Sequence, residues 1–148
     1  MKFEVPRDVL PLTEDDKCFI HDSVEVYEGF VYFHRVPNPT EASVIYSTNY
    51  IIQLLIEQEY TCLVLDFTDR QLVNHRLRRL MLSQASGMAD RMTDVGIVLD
   101  GNSFRRVIID FFVRAYMRSN KINVQFFATK KEAFIHMNGR IQMYSENT

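Results

Sequence analysis

Residues 60–68 (YTCLVLDFT) form a β-favouring, largely apolar run that closes on an aspartate. Leu63, Val64 and Leu65 follow one another without alternation, which is the pattern of a strand covered on both faces at the centre of a parallel sheet. Residues 95–100 predict a second buried strand, and 122–128 a third. Nearer the start, residues 24–27 and 30–36 flank Glu28-Gly29, and Phe30, Tyr32, His34 and Val36 alternate with Val31, Phe33 and Arg35. This predicts an antiparallel hairpin turning on glycine. Residues 18–21 precede it across a break at Asp22-Ser23. Residues 1–16, with Pro6, Pro11 and the acidic run Glu14-Asp15-Asp16, read as a partly extended arm with a short strand at 2–5.

Between the strands the apolar period changes to that of helices. Val44, Ile45, Thr48, Ile51, Ile52, Leu55 and Ile56 recur at helical spacing as far as Glu59. Asn38-Pro39-Thr40-Glu41 predicts the start, with Asn38 as N-cap, proline at the first helical position and Glu41 completing a capping box. Asn74 is placed to cap the next helix. Its inner stripe is Leu77, Leu80, Met81, Gln84, Ala85, Met88 and Met92, its outer face carries Arg76, Arg79, Ser83 and Asp90, and Gly87 weakens its later half. Thr129-Lys130-Lys131-Glu132 forms a second capping box, opening a last helix through about Met137, with 139–148 as a frayed tail.

Residues 103–118 predict the most unusual helix. Phe104, Ile108, Phe111, Phe112 and Ala115 make one core stripe, and Ile109, Val113, Tyr116 and Met117 widen it well past the ~100° of an ordinary surface helix. The polar remainder, Arg106, Asp110 and Arg114, suits an ion-pair ladder. The second stripe needs a neighbour. Either the terminal helix covers it, or a second copy does in a two-fold homodimer, which makes Ile109, Val113, Tyr116 and Met117 interface candidates. The whole order, ββ(β)-α-β-α-β-α-β-α, predicts an α/β fold: a mixed sheet with an N-terminal hairpin and about four helices. The pattern gives one domain over 1–148, its core at about 17–138.

Composition narrows the function classes. A net charge of -2 gives no general attraction to nucleic acid or anionic membrane, and no basic stripe is interleaved with stacking aromatics. No apolar run reaches the ~18–20 residues of a membrane span, and the first residues lack a signal-peptide core. The expectation is a soluble cytoplasmic protein. Of the two cysteines, Cys62 falls inside the central strand and reads as a reduced, packed thiol.

Candidate chemistry gathers where buried strands end. Asp66 and Asp100 would share the carboxyl edge of the sheet if their strands are neighbours, with Asp69, Asn74, His75 and Asn102 on the same rim. Clustered oxygens there suit a divalent metal or a phosphoryl group, whereas the plainer reading has both aspartates bonding loop and helix-start amides. Arg76, Arg78, Arg79, Arg105 and Arg106 give either an anion pocket at two helix starts or an ordinary solvated face. His75 lacks a recognisable nucleophile partner, and His21, His34 and His136 show no metal-ligand spacing. No catalytic residue, metal or cofactor is assigned.

Three segments carry a resemblance to a family. YTCLVLDFT (60–68), SFRRVIIDFF (103–112) and VQFFATKKEAFIHM (124–137) are similar to the central strand, a later helix and the closing strand-and-helix of SpoIIAA-like STAS-type domains. The resemblance spans roughly residues 24–137 and rests on hydrophobic patterns. It implies a small regulatory or binding module, partnered by a protein, itself or a small ligand. Regulatory members of that family accept phosphate on a serine in a D-S-S-G-like loop. Asn74-His75-Arg76-Leu77 stands in that place, without the serine or the glycine. The expected function is therefore a non-enzymatic interaction module. The alternatives are a phosphoacceptor or metal-assisted enzyme at the sheet's carboxyl edge, and a carrier of a small apolar ligand.

Overall fold

The computed structural model describes residues 12–34, 39–68, 75–99, 109–110 and 122–146. Their element order is α1 (Glu14–Asp22), β1 (Val24–Tyr27), β2 (Phe30–His34), α2 (Glu41–Gln58), β3 (Cys62–Asp66), α3 (His75–Met88), β4 (Asp94–Val98), β5 (Asn123–Phe127) and α4 (Lys130–Glu146). A 3₁₀ turn at Ala89–Arg91 follows α3, just after Gly87. The five strands form one sheet in chain order, β1 antiparallel to β2 and β2 through β5 parallel. This is the α/β fold with a mixed sheet that the sequence predicts.

That strand order dictates the layers. Right-handed crossovers that always step the same way place their helices on one face of the sheet. Ile51 and Leu55 of α2 and Met88 of α3 accordingly pack with Val31, Leu63, Val95, Ile97 and Leu99 in one cluster. The opposite face belongs to α4, whose Ala133 and Met137 pack on Phe30, Tyr32, Cys62, Val64 and Val98. Adjacent residues Leu63 and Val64 are wholly buried, one against each layer, so the unalternating run marks the central strand as expected.

Three element boundaries correct the sequence reading. The acidic run is not extended arm: it is the first turn of α1. Thr13 Oγ1 accepts from the Asp16 amide at 3.1 Å, and the Thr13 amide donates to Asp16 Oδ2 at 3.1 Å. This closes a capping box with aspartate in the usual Glu/Gln place, and the acidic turn complements the helix dipole. Residues 18–21 are therefore helical too. Secondly, α2 starts two residues late: Thr40 is its N-cap, exchanging hydrogen bonds with Ser43 at 2.7 and 3.1 Å. Pro39 precedes the cap, and Asn38 lies outside the described residues. Thirdly, α4 does not end near Met137. It continues through the expected tail to Glu146, because its later turns carry Arg140, Ile141 and Tyr144 against the sheet layer. The hairpin turns as predicted, with Gly29 at φ 93° in the left-handed region. A Cβ there would come within 2.6 Å of Ile141 Cδ1, so α4 packs down onto the turn.

Candidate ligand-binding site at the carboxyl edge of the sheet

β2 and β3 end side by side, with His34 in register with Asp66. The chain enters antiparallel β1 at the same edge, through Asp22 and Ser23, and Glu25 lies opposite Tyr32. Beyond β5 the first residue of α4, Lys130, reaches back over the edge. Together Asp22, Ser23, Glu25, Tyr32, His34, Asp66 and Lys130 line an open cleft of about 330 Å³.

Asp66 is 4% exposed and forms the floor. Its Oδ2 accepts from the Tyr32 hydroxyl at 2.6 Å, and its Oδ1 from the Thr68 amide at 2.9 Å and the Thr68 hydroxyl at 2.7 Å. Both oxygens are thus engaged in fixing the chain as it leaves β3. Burial, and then the bond to Asp66, pushes the Tyr32 phenol far above its ordinary range. Tyr32 stays protonated and acts as a donor. The Tyr27 hydroxyl donates to Glu25 Oε2, which raises the Tyr27 pKa, with burial adding to it. The Lys130 ammonium lies 3.9 Å from Glu25 Oε2, 4.4 Å from the Tyr32 ring centroid and 5.2 Å from that of Phe134. The cleft thus offers carboxylates and hydrogen-bonding groups, with Lys130 lying over the buried Tyr32 ring.

Of the residues singled out from sequence, Asp66 is in this cleft. β3 and β4 are parallel neighbours, but Asp69, Asn74, Asp100 and Asn102 lie outside the described residues. His75 opens α3, and its side chain also lies outside. Arg76 forms a forked pair with Glu41, Nε to Oε1 at 2.8 Å and a terminal nitrogen to Oε2 at 3.3 Å, tying the start of α3 to that of α2. Its guanidinium therefore already has a carboxylate. Val113, Tyr116 and Met117 lie outside the described residues. Ile109 and Asp110 are helical, and Ile109 is half-buried against the first core cluster. Among the described residues no three His, Cys, Asp or Glu side chains are grouped to hold a metal ion. Both cysteines are free, Cys18 exposed and Cys62 buried, and burial raises the Cys62 pKa. His21 bonds the Tyr46 hydroxyl at 2.8 Å and stacks on Tyr50.

Sequence reasoning missed Glu25, Tyr32 and Lys130. Period-two alternation already puts Tyr32, His34 and, in β3, Asp66 on equivalent positions. What brings them together is the β2–β3 register, which alternation does not specify.

The other end of the same face holds a second polar cluster. Asp94, 1% exposed, accepts from Arg140 Nε at 2.8 Å, the Tyr144 hydroxyl at 2.7 Å and Asn123 Nδ2 at 3.1 Å. Burial alone would push its carboxyl up. The hydrogen bonds from Tyr144, Asn123 and Arg140 outweigh that and hold it below the usual value. Arg140 also donates to the Tyr144 hydroxyl at 2.8 Å. Arg140, Tyr144 and Asn123 all donate to the one carboxylate, so the knot serves to fasten α4 to β4 and β5.

No helix among the described residues is long and apolar enough to cross a membrane. No protein-family model matches the chain, and no curated protein matches it.

Proposed function

We propose that this chain is a cytoplasmic, non-enzymatic binding module of the STAS-like type, working without a phosphoacceptor serine and receiving its ligand at the carboxyl-edge cleft. One observation carries this reading. The cleft's buried polar groups, Asp66 and Tyr32, are locked to each other and to Thr68, an arrangement suited to holding a shape. A phenol nucleophile needs a lowered pKa. The Tyr32 pKa is raised, and Asp66 already accepts three hydrogen bonds from the protein. The apolar pattern of residues 103–118 leads us to propose, in addition, that the module works as a homodimer.

Amide-resolved NMR titration with small polar compounds of positive, negative and zero charge tests the binding reading. The expected result is saturable shifts confined to the amides of Glu25, Tyr32, His34 and Lys130 with at least one charge class. Silence at these amides with every class would end it. Native mass spectrometry at low micromolar concentration tests the dimer: a monomer mass alone would remove that part.

A further inference from the structure

Resting on the reading that the cleft is a binding site, we infer that the group it receives is an organic cation, an alkylammonium or a guanidinium. Three carboxylates, Asp22, Glu25 and Asp66, line the cleft together with Lys130 and His34. An anion entering there would meet the exposed carboxylates of Asp22 and Glu25, and like charges repel. The chain itself already demonstrates the complementary choice, since the Lys130 ammonium is held over the Tyr32 and Phe134 rings and beside Glu25.

The aromatic face is preorganised for that role. Tyr32 is pinned at its hydroxyl by Asp66 and at its ring by the edge of Phe134, with centroids 5.3 Å apart and planes at 78°. A phenol donating to a carboxylate is also more electron-rich, which strengthens attraction between its ring and a cation. Lys130 is by contrast a flexible side chain, 44% exposed, on the first turn of a helix. It can swing into solvent and yield the ring face and Glu25 to an incoming ammonium. Lys130 is then a competitor for the ligand, and its removal should tighten binding.

Three probes of one skeleton separate the charge classes: n-butylammonium, n-butanol and butyrate, titrated by amide NMR into the wild type and into Lys130→Gln. The inference expects saturable cleft shifts with butylammonium, weaker or no response to the other two, and roughly two- to five-fold tighter butylammonium binding in Lys130→Gln. Glu25→Gln should weaken the same titration. An unchanged thermal melt of each variant establishes that it is folded. Saturation by butyrate or butanol with no preference for the cation overturns the inference while leaving the cleft a binding site. So does loss of butylammonium binding in Lys130→Gln. Silence of the cleft amides to all three probes overturns both. Comparing butylguanidinium with acetyl-Gly-Arg-Gly-amide then identifies the source of the cation. Tighter binding of the peptide assigns it to a protein partner's side chain, and equal or weaker binding to a free small molecule.

Discussion

Asp94 shows how one buried side chain can set the stability of a whole face. Its carboxylate is the common acceptor for Arg140, Tyr144 and Asn123. Asp94→Asn removes the charge and leaves Arg140 without its partner. The expected loss is about 2–3 kcal/mol, below the roughly 3–5 kcal/mol for breaking a fully buried pair, because Arg140 keeps 29% side-chain exposure. Urea unfolding at neutral pH should show a lower midpoint with an unchanged slope. Because the folded-state pKa of Asp94 is depressed, its contribution is complete above the ordinary value of 3.8 and is lost as pH falls below that through the folded value. The gap between wild type and Asp94→Asn should therefore be constant at neutral pH and close under acid; a gap that grew under acid would contradict the assignment. Gly29 is the other decisive residue. Gly29→Ala meets a left-handed φ of 93° and the Ile141 side chain at once. A cost of about 1–3 kcal/mol is expected. Adding Ile141→Ala should recover the steric part only, a non-additivity that a double-mutant cycle would measure.

At the level of elements, caps decide where helices begin. Thr40→Ala should cost about 1 kcal/mol, and Thr40→Ser should retain most of the stability. A neutral Thr40→Ala would mean that α2 is not capped there. This boundary was half legible. Asn38, Thr40 and Ser43 all belong to cap-forming types, and proline is as acceptable just before the cap as just inside the helix, so the four-residue pattern admitted two starts. The start of α1 was hidden for a related reason: Asp16 at the third helical position does the work usually given to Glu or Gln. Strands were far more legible. A run such as Cys62–Asp66, with no alternation, has few places to go but the middle of a two-sided layer. The cleft was legible only at Asp66, because Tyr32, Glu25 and Lys130 converge through register and through a helix that returns over the edge, neither of which local pattern encodes.

Across the whole molecule, the two faces of the sheet are covered unequally. The crossover helices α2 and α3 share one face, while among the described residues α4 is the helix packed on the other, lying over the middle strands. The sheet's margins on that side carry Glu25 on β1 and Gln125 on β5, both exposed. The face thus depends on one helix anchored along its length: Ala133 and Met137 in the apolar middle, then Ile141 on the hairpin turn and Arg140 and Tyr144 on Asp94. The four-residue steps Ala133, Met137 and Ile141 continue straight through Gly139. Gly139 weakens the helix by roughly 1 kcal/mol; burial and the ionic knot outweigh that cost. A chain ending at Asn138 keeps Ala133 and Met137 but loses every anchor beyond them, leaving Asp94 buried without a counter-charge. Such a chain should keep much of its far-ultraviolet dichroism, bind a hydrophobic dye through the uncovered face, and lose its cooperative unfolding transition. Removing only Glu146–Thr148 should change little, because Tyr144 and Ser145 remain. If the chain ending at Asn138 instead unfolds cooperatively at the wild-type midpoint, the second half of α4 does not hold the face, and the unequal layering has some other support.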